Sequence, residues 1–101
     1  MRMLLNVTIP HEPFNTYVRE GTAGEKLGKI LDELKPESIY FTNRNGRRGC
    51  TAIVDVAEPS RVPSLAEPFF LTYGADVQFH IVMKPDDLKK AGLEALGKKW
   101  A

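Results

Sequence analysis

The chain has 101 residues, which is long enough for one domain (1–101) with a single hydrophobic core. The chain has 14 lysine and arginine residues and 13 acidic residues, so its net charge is +1. A net charge this small gives no reason to expect that the protein binds nucleic acid or an anionic membrane. The single Cys50 excludes an internal disulfide framework, and residues 1–10 contain neither a signal peptide nor a membrane span, so we expect a cytoplasmic protein.

The first third of the chain predicts a strand followed by a helix. Apolar residues occupy every second position from 3 to 9, which predicts a strand that Pro10 ends. From about residue 13 to 34, apolar side chains recur three and four positions apart, as in an amphipathic helix. Gly21 and Gly24 each disfavour a helix by about 1 kcal/mol relative to alanine. A break there is the alternative, but we expect one continuous helix.

A β-hairpin is predicted within residues 38–56. Its turn is Asn45-Gly46, the preferred pair for a two-residue turn because both positions need positive φ, and this places Arg44 opposite Arg47. Side chains alternate along a strand, so the hairpin has two distinct faces. The apolar face carries Ile39, Phe41, Cys50, Ala52, Val54 and Val56. The mixed face carries Tyr40, Thr42, Arg44, Arg47, Thr51, Ile53 and Asp55.

The last third predicts a helix, a strand and a further helix. A helix is expected from Ser60, whose hydroxyl suits an N-cap, to about Tyr73, with a kink or a new turn at Pro68. Residues 76–83 alternate again and predict a fourth strand. A final helix is expected from residue 84 onward, because a proline and two acids favour a first helical turn.

The resulting order, β-α-β-β-α-β, predicts an α+β protein of the ferredoxin-like plan with an extra C-terminal helix. An antiparallel four-stranded sheet would carry two helices on one face. The other face would expose Leu4, Ile53, Val82 and the ring of Tyr40, and leaving each large aliphatic side chain wet would forgo roughly 1.5 to 3 kcal/mol. The simplest cover is the same sheet of a second copy, so we expect a homodimer.

The chain resembles the dimeric α/β-barrel superfamily, which includes antibiotic-biosynthesis-type monooxygenases and muconolactone-isomerase-like proteins. The resemblance comes from the element order, the length and the mixed sheet face. Two short segments, A-E-P-F-F at 66–70 and M-K-P-D-D-L at 83–88, are similar to small uncharacterised bacterial proteins of this type. The resemblance implies a dimer with two sheets packed face to face, a pocket between sheet and helices, and chemistry without a bound metal or organic cofactor.

The candidate site is a polar group on the mixed face, centred on His80. Histidine titrates near neutral pH and could act as a catalytic base or hold a carbonyl oxygen. The expected ligand-binding residues around it are Asn6, Tyr40, Thr42, Asp55 and Gln78. The alternative is a polar layer whose groups only satisfy each other across a dimer interface.

Three other patterns point less strongly to a site. His11 with Glu12 lacks the second histidine that a metal-binding helix needs, so we expect no metal site. Arg44, Arg47 and Arg48 form a basic hairpin tip that could hold an anion, although exposed charge at a turn explains them more simply. RNA binding by this plan needs aromatic residues on the central strands, and none is predicted there.

Two functions therefore stay open. One is a small cofactor-independent enzyme, a monooxygenase or an isomerase acting on a small carbonyl or aromatic compound. It requires a closed pocket around His80. The other is a non-catalytic module that binds a small ligand or a partner.

Overall fold

The computed structural model describes residues 1–101, and its elements follow the predicted order with two additional helix breaks. In chain order the elements are β1 (Arg2–Ile9), α1 (His11–Glu20), α2 (Ala23–Leu34), β2 (Ser38–Arg44), β3 (Arg47–Asp55), a 3-10 turn (Pro59–Arg61), α3 (Val62–Tyr73), β4 (Asp76–Ile81), α4 (Pro85–Lys90) and α5 (Leu93–Lys99).

The four strands form one antiparallel sheet in the order β2-β3-β1-β4. This confirms the predicted α+β fold, and the pairing of β1 with β4 is the one that the split βαβ plan requires. One face of the sheet is covered by α1, α2 and α3. The opposite face is open in the single chain, and it is called the open face below.

The hydrophobic core lies between the sheet and these helices. The two central strands contribute Leu5, Val7, Ile9, Cys50, Ala52 and Val54, and the helices add Ile30, Leu34, Leu65, Phe69 and Tyr73. Phe14 packs its ring 5.1 Å from that of Tyr73, measured between centroids. The predicted apolar face is therefore correct for the central strands. Phe41 lies on the same face but is not part of the core: it is 54% exposed, because it lies on the edge strand β2, beyond the cover of the helices.

The hairpin has the predicted turn and register. Arg44 pairs with Arg47 and Tyr40 with Thr51. Asn45 and Gly46 have φ values of 52° and 80°, as a two-residue turn of this kind requires. The assignment of side chains to the two faces of β2 and β3 therefore holds.

The expectation of one continuous helix over residues 13–34 is wrong. Gly21 has a φ of 76° and ends α1, and its backbone conformation lets the last carbonyls of the helix accept hydrogen bonds. At the other end, Glu12 is not helical, and its carboxylate accepts hydrogen bonds from the backbone N–H and the hydroxyl of Thr16. These bonds, together with the charge of Arg19, lower the pKa of Glu12.

The second predicted helix also begins later than expected. Ser60 lies inside the 3-10 turn and donates to the carboxylate of Glu58 at 2.8 Å, so it is not an N-cap. The helix α3 starts at Val62 and continues through Pro68 without a break. Gly74 ends it with a φ of 63°, as predicted.

Residues 84–101 form a C-terminal arm that stands away from the body. The fourth strand ends at Ile81, not at residue 83, and the single predicted helix is divided into α4 and α5 at Gly92, whose φ is 71°. Every residue of the arm is exposed, and no hydrogen bond joins it to the rest of the chain. The radius of gyration is 17.2 Å, whereas a compact chain of this length would have about 13 Å.

We expect Gly46→Val to lower the free energy of unfolding by at least about 1 kcal/mol, because a β-branched residue is strongly disfavoured at positive φ. Urea unfolding measures the change. The matched control is Gly46→Asn, since asparagine tolerates the left-handed conformation and should cost much less. Equal stability of the two variants would contradict the turn assignment.

We expect the Cys50 thiol to be unreactive in the folded protein. Burial raises its pKa to about 11, against the smaller opposing effect of the Arg44 charge, and the residue is 1% exposed. Ellman's reagent at pH 8 should modify no thiol in the native protein and one thiol per chain in urea. Rapid modification without denaturant would show that the sheet opens at this strand.

Candidate functional site

The open face mixes apolar and hydrogen-bonding side chains, as the alternation along each strand predicts. Leu4, Ile53 and Val82 are half-buried on it, and Tyr40 is 73% exposed. Its polar side chains are not spread evenly. They concentrate near the end of the sheet where the hairpin turn lies.

The centre of this polar group is Arg44, the last residue of β2. Its Nη2 donates to the side-chain oxygen of Asn6 at 2.7 Å and also to the hydroxyl of Thr51. The Thr51 hydroxyl donates in turn to the same Asn6 oxygen at 3.0 Å. The Arg44 side chain therefore lies across the sheet, from the edge strand to β1, instead of extending into solvent from the turn.

Gly49 leaves the space that this conformation needs. A Cβ built at Gly49 would lie 3.0 Å from Cδ of Arg44 and 2.6 Å from the carbonyl oxygen of Val7. The distance to the Val7 oxygen is shorter than real Cβ atoms show, and the distance to Arg44 Cδ is tighter than nine in ten real Cβ contacts. The absence of a side chain at position 49 thus allows the aliphatic part of Arg44 to lie flat on the backbone of β3.

The charge of Arg44 has no acidic partner within the chain. No carboxylate lies within 4 Å of its guanidinium. Its Nε is buried and makes no hydrogen bond, and its Nη1 also makes none. A half-buried cation is costly unless an anion compensates it, so this guanidinium is a candidate site for an anionic group.

A depression of about 260 Å³ adjoins the guanidinium on the open face. All of its lining side chains are polar: Asn6, Thr8, Arg44, Asn45, Asp76 and Gln78. Two of the predicted ligand-binding residues, Asn6 and Gln78, belong to this set, and they face each other across β1 and β4.

His80, the predicted catalytic residue, lies on the open face but not in the depression. The register places His80 opposite Leu4, and Gln78 takes the position opposite Asn6 that was expected to be near the histidine. His80 is exposed and makes no side-chain hydrogen bond. The single chain does not form a closed pocket around it. A role for His80 stays a prediction.

The remaining predicted residues lie away from the depression. Tyr40 and Thr42 are exposed on the edge strand β2. Asp55 lies at the opposite end of the sheet, where it pairs with Arg2, and its carboxylate accepts a hydrogen bond from the N-terminal ammonium at 2.9 Å. That hydrogen bond and the charge of the ammonium lower the pKa of Asp55. The sequence identified the correct face for this residue but not its distance from the other polar groups.

The three arginines of the hairpin have different environments. Arg48 donates to Asn15 at 2.7 Å and lies over the ring of Phe14, so it is part of the helix-covered side. Arg47 is exposed, as expected for charge at a turn. For Arg44 that simple explanation is wrong, because its side chain folds back over the sheet.

The predicted ligand-binding group thus left out Arg44 and Asp76, although Arg44 was one of the three hairpin arginines that could hold an anion. A signal for Arg44 was present: it belongs to the mixed face together with Thr51, and a glycine follows on the paired strand. For Asp76 we find no comparable signal, since an acid at the start of a strand is ordinary.

A second, apolar depression of about 180 Å³ lies on the helix side, between the edge of the sheet and the first helices. It is lined by Ile9, Phe14, Leu27, Phe41, Thr42, Arg48 and Gly49.

No group of three or more histidine, cysteine or acidic side chains is placed to hold a metal ion. None of the helices has the length and apolar character needed to cross a bilayer.

No family model matches the chain, and no curated protein matches its sequence. Some solved structures align with it. A formyltetrahydrofolate deformylase from Burkholderia mallei ATCC 23344 aligns over 80% of this chain with 14% identity and a TM-score of 0.46, and the chain spans only 28% of that protein. The de novo designed protein Ferredog-Diesel aligns over 80% of this chain and 85% of its own length, with 10% identity and a TM-score of 0.46. Neither similarity is close enough to indicate a function.

We expect Arg44→Ala to lower the free energy of unfolding by about 1 to 2 kcal/mol, because it removes charge-assisted hydrogen bonds and the packing over Gly49. Arg47→Ala, which removes the same charge from an exposed position, should stay within about 0.5 kcal/mol of the parent. Urea unfolding of both variants is the measurement. Similar values for the two would mean that Arg44 is not held on the sheet in solution.

Proposed function

We propose that the protein is a homodimer whose two open faces pack together as a dimeric α/β barrel, and that its function is to bind a small molecule in the polar part of that interface. The observation that carries the proposal is the composition of the open face. It combines apolar side chains, whose burial would be favourable, with a hydrogen-bonded arginine whose charge has no anionic partner within the chain.

The apolar part of the face supports the dimer. Leu4, Ile53, Val82 and Tyr40 project from the same side of the sheet and are only partly covered in one chain. Transfer of such side chains out of water is favourable by about 25 cal/mol for each Å² of apolar surface. Two identical sheets packed face to face would bury this surface twice, and an interface of this type should bury on the order of 2,000 Å².

The C-terminal arm also supports an assembly larger than one chain. It exposes Leu88, Leu93, Leu96 and Trp100, of which Trp100 is 76% exposed, although none of them lies against the body. A depression of about 460 Å³ separates α4 from α5 and is bordered by Leu88 and Leu93. A second protomer would provide a surface for these side chains, which a single chain does not.

The site favours binding over catalysis. A catalytic histidine normally has a second group that orients it or shares its proton. His80 contacts no such group within the chain, whereas Asn6, Thr51 and Arg44 hold one another in a defined arrangement. We therefore propose a binding protein, and a monooxygenase or isomerase activity on a small carbonyl or aromatic compound is not part of the proposal.

The dimer is tested with two matched substitutions of strongly exposed apolar residues. Tyr40→Asp places a charge on the open face, and Leu71→Asp places one on α3, where the leucine is 82% exposed. Neither side chain contributes to the core of the single chain, so both variants should fold. Light scattering at micromolar concentration should give twice the chain mass of 11.3 kDa for the parent and for Leu71→Asp.

For Tyr40→Asp the same measurement should show a shift toward the monomer, because a charge cannot be buried without a partner. A monomer mass for the parent chain would refute the proposed assembly. A dimer that Leu71→Asp disrupts and Tyr40→Asp does not would place the interface on the helical side instead.

A further inference from the structure

We infer that the depression beside Arg44 binds a small zwitterion of the α-amino acid type, with its carboxylate on Arg44 and its ammonium group on Asp76. This inference rests on the proposed binding function and specifies its ligand. It comes from the presence of two opposite and unpaired charges at one small polar depression.

The first charge is the guanidinium of Arg44. Its position is set by hydrogen bonds to Asn6 and Thr51, which use only Nη2. The Nη1 group keeps its donors free and, unlike Nε, is not buried. A carboxylate can accept hydrogen bonds from Nη1, which makes none within the chain, and the charge of the guanidinium strengthens such bonds.

The second charge is the carboxylate of Asp76 at the start of β4. Asp76 is exposed and makes no side-chain hydrogen bond or ion pair within the chain. It lies opposite Thr8, and Thr8 lies two residues from Asn6, or roughly 7 Å along the strand. Arg44 and Asp76 therefore border the same depression without meeting each other. The gap between them suits a molecule that carries both complementary charges.

The remaining lining residues and the volume limit the ligand further. Thr8, Asn45 and Gln78 can donate or accept hydrogen bonds, and the lining has no apolar side chain. The volume of about 260 Å³ is below the range of roughly 300 to 1,000 Å³ that is usual for drug-sized ligands. A zwitterion also has no net charge, so its enclosure at the interface would bury two compensated charges. A simple anion would leave Asp76 facing a like charge.

The test is isothermal titration of the full-length protein with the twenty common α-amino acids, each compared with its N-acetyl and its amide derivative. At least one amino acid should bind. Removal of either ligand charge should weaken that binding at least tenfold. Undiminished binding of the N-acetyl form would overturn the role of Asp76, and undiminished binding of the amide would overturn that of Arg44. Binding of no amino acid would overturn the inference as a whole.

Substitutions in the protein give an independent reading. Arg44→Gln and Asp76→Asn should each reduce affinity at least tenfold, whereas Arg47→Gln, the same change on the paired and exposed arginine, should stay within twofold. Asp76 is exposed, so its variant should keep the parent melting temperature, which a thermal melt verifies. An equal loss in Arg47→Gln would indicate a general charge effect and would contradict the assigned contact.

The mass of each titrated sample separates this inference from the proposed assembly. A dimer that binds no amino acid refutes only the ligand. A monomer that binds an amino acid with the predicted charge dependence refutes the dimer and supports the Arg44–Asp76 site.

Discussion

The structure depends on the two-residue turn at Asn45 and Gly46. Both residues adopt positive φ, and this sets which residues of β2 and β3 lie opposite each other. Because side chains alternate with a period of two, a slip by one residue would exchange the two faces of the hairpin. β3 pairs with β1 and β1 pairs with β4, so the register of the hairpin is coupled to that of the whole sheet.

This register also positions the candidate site. Arg44 is the last residue before the turn, and its partner strand provides Gly49 and Thr51, the first as space for the aliphatic chain and the second as a hydrogen-bond acceptor. The same turn that brings the strands together therefore directs a cation onto the open face. The fold and the site share one local constraint, and a change at the turn would disturb both.

The size of the core explains why the single chain has uncovered surfaces. Only 15 of its 101 residues are buried, and all of them except Gly49 lie in the helices or in the core between the helices and the sheet. A chain of this length can build one layer of helices over a sheet but not a second layer. The single layer of helices leaves the open face and the C-terminal arm uncovered. In our proposal a second copy covers them, and the polar depression then lies at the boundary between protomers.

The sequence by itself determined the strands, the hairpin register and the two faces, because alternation and positive φ act between neighbouring residues. It did not determine where the helix predicted over 13–34 breaks. Both Gly21 and Gly24 can adopt the left-handed conformation, and packing decides that Gly21 does so.

Long-range contacts also determined which residues form the site. Arg44 has a long side chain with many rotamers, and only the presence of Asn6 on a strand 38 positions away selects the one that lies across the sheet. Asp55 and Asp76 are both acids on the open face, yet pairing opposite Arg2 or Thr8 places them at opposite ends of it. Tertiary structure, through strand pairing and side-chain packing, therefore chose which of the polar residues lie together.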